Sequence, residues 1–218
     1  MRTVEVTRTY LEVKRGSRGG SRGGSTVGSS NSLTGVGGGG KFKPARSQPR
    51  CGGLQVARAF QCAPSFYRYM YTEIGRANHW TDRLHWSDQK IRTHLARPDI
   101  SLWVVSCHGS PAGYFELVCL AEDEFEINYL GLLPDFQGRG LGKHLITAAV
   151  QTCWKQGAKR VQLDTSTLDH PAALKNYLKR GFKPYQIERF YRFLPVTEAE
   201  ERRLRSGTGG FLQAVEYG

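Results

Sequence analysis

Glu126-Ile127-Asn128-Tyr129-Leu130-Gly131-Leu132-Leu133 runs through Pro134-Asp135-Phe136 into Gln137-Gly138-Arg139-Gly140-Leu141-Gly142-Lys143. The first eight residues read as a strand. Leu141, Leu145, Ala148 and Ala149 then recur at helical spacing over 138–156, and Gly157 stops the helix. A strand thus enters a helix through a loop with three glycines in five residues. Such glycines leave backbone N–H groups unobstructed, and the helix start adds the positive end of its dipole. Together they make a cradle for phosphate.

The spacing narrows the ligand. A P-loop needs glycine where Gln137 stands and Ser or Thr where His144 stands, and a dinucleotide loop counted from Gly138 needs glycine where Lys143 stands. The pattern that fits is Arg/Gln-x-x-Gly-x-Gly/Ala. On this hexapeptide, in its strand-to-helix setting, the stretch 54–194 resembles the GNAT superfamily of N-acetyltransferases. The resemblance implies an α/β (α+β) fold, with a mixed central sheet of six or seven strands flanked by about four helices. It implies acetyl-CoA, or another acyl-CoA, as co-substrate and no metal. Leu132, Leu133, Gln137, Gly138, Arg139, Gly140, Leu141, Gly142 and Lys143 become the expected contacts to the coenzyme, with 130–133 pairing along its pantetheine arm.

A second match lies at Ala173-Leu174-Lys175-Asn176-Tyr177-Leu178-Lys179-Arg180-Gly181-Phe182, which resembles the family's A-x-x-x-Y-x-x-x-G-F. There the tyrosine protonates the departing thiolate, a transfer that a phenol with pKa of about 10 can make as the C–S bond breaks. Tyr177 is the expected general acid. His170 replaces an asparagine common in the family and is an alternative acid or base. An amine is protonated at neutral pH, so a base is also required. Glu126 stands where some members carry one, and Glu116, in Gly113-Tyr114-Phe115-Glu116, competes with it.

The acceptor side should come from the first two helices and the closing strands. It is rich in aromatics, with Phe66, Tyr67, Tyr69 and Tyr71 followed by His79-Trp80-Thr81-Asp82-Arg83-Leu84-His85-Trp86. Trp80, Tyr67 and Glu116 are the expected acceptor contacts. Equally, these aromatics can form core beneath the helices.

Outward from the loop, the helices read as 64–75 and 87–97, with a short one at 171–180. Strands read as 54–60, 101–106, 112–120, 160–167 and 182–194, antiparallel first and parallel later. Residues 3–13 read as an N-terminal strand, and 14–53 as a Gly/Ser/Arg-rich disordered linker holding 13 of the 26 glycines. The acyltransferase domain is then 54–194 and the tail 195–218, with Thr197 and Glu200 as a capping box.

The net charge of +12 is concentrated in one segment: 14–72 holds ten Lys or Arg and no acid, whereas 73–218 is 19 basic against 17 acidic. That argues against a nucleic-acid partner. No apolar run is long enough for a membrane span. Five cysteines without a C-x-x-C pair fit buried thiols in a reducing compartment, hence the cytoplasm, although the Arg- and Ser-rich stretch also has the make-up of an organelle transit segment. The expected activity is transfer of an acyl group from acyl-CoA to an amine, a small molecule first. Transfer to a protein, or a non-catalytic coenzyme- or RNA-associated module, are the alternatives.

Overall fold

The computed structural model describes residues 2–16, 41–46 and 54–195. Seven strands form one sheet: β1 (Arg2–Lys14), β2 (Leu54–Arg58), β3 (Ile100–Cys107), β4 (Ser110–Ala121), β5 (Glu124–Leu132), β6 (Arg160–Ser166) and β7 (Lys183–Leu194). Four α-helices accompany them: α1 (Pro64–Gly75), α2 (Asp88–Leu95), α3 (Gly142–Lys155) and α4 (Ala173–Lys179). The order across the sheet is β2-β3-β4-β5-β6-β1-β7. Every neighbouring pair is antiparallel except β5–β6. The parallel part expected late in the chain is thus confined to one pair, because β1 separates β6 from β7.

β1 corrects the expected boundaries. Residues 3–13 read as a strand standing before the 54–194 body, yet β1 is paired along both edges, to β6 and to β7. The reason is its buried stripe: Val6, Leu11 and Val13 have no exposed surface, and burying each is worth about 1.5–3 kcal/mol. Part of the expected linker is also docked. Ala45 N donates to Thr147 Oγ1 at 3.0 Å, Lys43 N to the Arg180 carbonyl at 2.9 Å, and Phe42 meets Trp154 edge-on at 4.7 Å. The remainder of the glycine-rich stretch, the capping box at 197–200 and the tail beyond 195 lie outside the described residues.

The helices divide between the two faces. Tyr67, Met70, Tyr71 and Ile74 recur at helical spacing on α1, each at most 2% exposed. Tyr67, Met70 and Ile74 pack with Ile91 of α2, Leu102 and Tyr114. Ser87 caps α2 by accepting from Lys90 N at 3.2 Å, a cap worth about 1 kcal/mol. On the opposite face Leu145, Ala149 and Cys153 of α3 pack on Leu11, Phe115, Leu117, Val161 and Leu163. Alternation along each strand then assigns faces. Gln162, Asp164 and Ser166 of β6 point away from α3, toward the side that carries α1 and α2.

The feature that makes the site is a gap in this sheet. β5 and β6 pair only through Glu124↔Arg160, Phe125↔Val161 and Glu126↔Gln162, and then part. On its other edge β5 has a register shift: Glu116 faces Tyr129, whereas Leu117 faces Ile127. Asn128 is the extra residue, and a bulge there bends β5 and re-aims its side chains.

Candidate active site

At the gap lies a cavity of about 580 Å³ that reaches both faces of the sheet. Gln137, Gly138, Gly140, Leu141, Gly142, Asn176 and Tyr177 line it from the α3–α4 side. Asn78, Trp80, Asp82, Arg8, Asp164 and Arg192 line it from the other, and β5 contributes Ile127 to Leu132 along the opened edge.

The glycine loop is built as its sequence requires. Gly138 and Gly140 have φ of 71° and 73°, in the left-handed region that side chains disfavour. These turns delay α3, which begins at Gly142 rather than at 138. Gln137 fastens the loop to the strand, its Nε2 donating to the Leu132 carbonyl at 3.0 Å. The first turn of α3 has no side-chain cap and no acid, so its amides are not satisfied by a local carboxylate or hydroxyl. The surroundings are cationic. Burial, together with the charges of Lys143 and Arg180, depresses the His144 pKa, and the buried Arg180 Nε has no hydrogen-bond partner.

Of the nine expected coenzyme contacts, Leu132, Gln137, Gly138, Gly140, Leu141 and Gly142 line the cavity, whereas Leu133, Arg139 and Lys143 do not. Leu133 N donates to the Ala112 carbonyl at 2.9 Å and its side chain is buried with α1. Arg139 lies over the Phe136 ring at 5.3 Å.

Tyr177 lines the cavity from α4, its ring edge-on to Phe182 at 5.8 Å. Burial, with the charges of Asp169 and Asp164, raises its pKa and keeps the phenol protonated. His170 also lines the cavity, but its Nδ1 accepts from Ala172 N at 3.1 Å and so shapes the entry to α4.

The expected bases behave differently from one another. Glu116 has no exposed surface and does not line the cavity. Arg83 donates to both its oxygens, at 2.8 and 3.0 Å; Tyr67 donates at 3.1 Å, Asn128 at 3.0 Å, and His94 Nε2 lies at 3.2 Å. Arg83 Nη1 also donates to the Tyr67 hydroxyl. Burial alone pushes the Glu116 carboxyl up, but hydrogen bonds from His94 and Arg83 outweigh it and hold the pKa at about 2. Glu116 and Tyr67, expected as acceptor contacts, thus brace α1, α2 and the bulge, and neither lines the cavity. Trp80, the third expected contact, is in the cavity wall.

Glu126 lies where β5 and β6 still pair and is not in the cavity wall. Asp164, which the sequence reading passed over, is. Its surroundings raise its pKa through desolvation first and the charges of Asp169 and Glu188 after it, against Arg8, whose Nε lies 3.4 Å from Oδ2. The available signal was the polar alternation Gln162, Asp164, Ser166, which puts an acid on the open face of a strand. Arg8 and Arg192 were missed as well; Arg192 donates to Thr81 Oγ1 at 2.7 Å. Among the described residues no three His, Cys, Asp or Glu side chains are placed to hold a metal, and no helix is long and apolar enough to cross a membrane.

A parted parallel pair, a glycine loop and an uncapped helix start thus meet at one cavity. The profile described as "Acetyltransferase (GNAT) family" matches residues 63–182, more than half of the chain. The chain belongs to the acetyltransferase (GNAT) family. It is 30% identical over 97 residues to a Bacillus subtilis protein with the provisional name ribosomal protein bS18 alanine N-acetyltransferase, covering 44% of this chain and 63% of that one. It is 39% identical over 80 residues to the mycothiol acetyltransferase of Corynebacterium aurimucosum, covering 34% of this chain and 26% of the relative. The chain thus spans less than two thirds of the length of these relatives. A GCN5-related N-acetyltransferase structure from Sphaerobacter thermophilus superimposes with a TM-score of 0.55 at 12% identity, over 87% of this chain and 51% of that one.

Proposed function

We propose that the protein transfers an acetyl group from acetyl-CoA to the primary amine of a small molecule, by direct attack on the thioester. The observation that carries this reading is the single cavity at the gap between β5 and β6, with the glycine loop on one face of the sheet and a polar, aromatic wall on the other. The pyrophosphate fits the amides of Gly138, Gly140 and the α3 start, in the positive surroundings of Lys143 and Arg180. The pantetheine arm fits the unpaired edge of β5, where a backbone N–H can polarise the thioester carbonyl.

The acceptor enters past Trp80 and Asp82. It reaches the site as the neutral amine, its extra proton having gone to solvent. The nitrogen attacks the carbonyl carbon, and its second departing proton passes to the Asp164 carboxylate, directly or through water, and from there to solvent. The C–S bond breaks as Tyr177 gives its phenolic proton to the sulfur. The products are the amide and free CoA thiol, and the phenolate is reprotonated from solvent. Asp164 takes the role that Glu126 was expected to hold, because it shares the cavity with Tyr177. Its raised pKa makes it a stronger base than an ordinary aspartate. A peptide N-terminus is a second reading, favoured by the relative whose name specifies a ribosomal-protein alanine.

Acetyl-CoA titrated into a thermal-shift assay tests the donor half. Ligand at about 100 times its dissociation constant should stabilise by about 2.7 kcal/mol, and no shift at millimolar acetyl-CoA sinks the reading. Asp164→Asn tests the chemistry. Turnover on a panel of small amines should fall about 10²–10⁴-fold with acetyl-CoA affinity unchanged. A panel on which only alanine-terminated peptides turn over selects the second reading.

A further inference from the structure

Asp164 is surrounded mainly by groups that oppose its ionisation. Asp169 faces it from the turn before α4, Glu188 from β7 and Glu126 from β5, while the phenol of Tyr177 lies on α4. The cation set against them is Arg8. It comes from the middle of β1, opposite Ser166 on one side and Glu188 on the other.

Arg8 is held on several sides. Its guanidinium lies over the Phe190 ring at 5.2 Å, and Tyr10, Asp164 and Glu188 raise its pKa from beside it. The Tyr10 hydroxyl in turn donates to Glu188 Oε2 at 2.8 Å. Arg8 Nε lies 3.4 Å from Asp164 Oδ2, yet it is buried and makes no hydrogen bond. The pair is therefore a charge contact in the cavity wall, and Arg8 Nε does not occupy a lone pair of the carboxylate. Asp169 is occupied differently: its Oδ2 accepts from Thr165 Oγ1 at 2.7 Å and Ser166 N at 2.8 Å.

We propose that Arg8 is a positioning residue for acyl transfer, holding the Asp164 carboxylate ionised and aimed into the cavity, so that the strand at the start of the chain is part of the active site. The proposal rests on Asp164 being the proton acceptor. Arg8 touches neither the thioester nor the sulfur in this scheme and acts through its neighbour. Both side chains are 38% exposed, so solvent screens the contact and the effect is moderate.

The test is the pH profile of kcat/KM in the full-length protein, with melting temperature measured alongside. Arg8→Gln should move the acid limb up by about one pH unit, since an opposite charge at this range favours the ionised form. KM for acetyl-CoA should not change. Arg8→Lys should keep the limb near its wild-type position and lower kcat a few-fold, because the charge stays while the planar fork is lost. In an Asp164→Asn background, Arg8→Gln should lower kcat/KM by less than about twofold, as expected when one residue works through another. An R8Q profile that overlays the wild type, or an R8K limb displaced as far as that of R8Q, overturns the proposal. Should R8Q be too unstable to assay, R8K decides: a displaced limb, or kinetics identical to wild type, overturns it. If Asp164→Asn alone retains wild-type turnover, it is the proton-acceptor assignment that has failed.

Discussion

Beneath α1 and α2, and again beside the gap, the sheet holds a carboxylate on the same face, and the two surroundings could hardly differ more. Glu116 is buried to 0% exposure and its two oxygens are met by Arg83, Tyr67, His94 and Asn128. Asp164 stands in the cavity wall with one loose cation against it and acids beyond. The first has a pKa of about 2 and cannot take up a proton near neutrality. The second is pushed up from the ordinary aspartate value, chiefly by desolvation. A carboxylate becomes a brace when its hydrogen-bonding capacity is filled, and a base when it is left partly unfilled beside a cavity.

That contrast is broken most forcefully at Glu116. Glu116→Ala leaves the Arg83 guanidinium buried without its partner, and losing one half of a buried pair costs about 3–5 kcal/mol. Against a total stability of about 5–15 kcal/mol this is a large fraction, and denaturant unfolding should show it. If Glu116→Ala melts like wild type but has lost turnover, the assignment of brace and base is reversed.

Acid separates the two regions next. The Glu116 carboxyl is depressed in the fold, so the stability it provides is present above about pH 4.5 and is lost as the pH falls toward 2. Asp164 has the opposite sign. Its raised pKa means that protonation favours the folded state, so it does not contribute to acid unfolding. Turnover should therefore fall at a higher pH than the fold does. Parallel pH profiles of initial rate and circular dichroism check this, and coincident transitions would contradict it.

The smallest effect is expected at Glu126. Burial and Asp164 raise its pKa, but it lies outside the cavity wall, so Glu126→Gln should change kcat by no more than about threefold. A loss of 10² or more in steady-state kinetics would restore it as the base.

The glycine-loop side of the cavity was legible in the sequence because its determinants are local. Gln137, Gly138, Gly140 and Gly142 lie within six residues, and their conformations follow from glycine and from the helix that follows. The place of Tyr177 on α4, in the cavity wall, was legible for the same reason, through a pattern contained in one short helix. The acceptor half was not, because it is assembled from β1, β6, β7 and the segment after α1. Nothing in Thr7-Arg8-Thr9-Tyr10 indicates that this strand will lie beside residues 160–166. Glu116 misled for a related reason: its partners Arg83 and His94 lie 33 and 22 residues away, so the sequence shows a lone acid on a strand. Tyr67 and Trp80 read alike as aromatics of one region. Only packing tells that the first is under the helix and the second beside the gap.

The place of β1 also governs how the chain can fold. It leaves the ribosome ahead of both strands it pairs with, and its partners, Ser166 against Arg8 and Leu194 against Arg2, are made about 150 residues or more later. The β2–β5 meander can form from neighbours in sequence, whereas β6 and β7 need the returning strand between them. Closing so long a loop adds only about 0.6 kcal/mol per doubling of length, so the penalty falls less on stability than on time. Until β6 and β7 are made, a strand-forming segment waits unpaired, a state in which exposed edges invite aggregation. Completion of the acceptor wall, with Arg8 set against Asp164, is for this reason expected among the last events of folding.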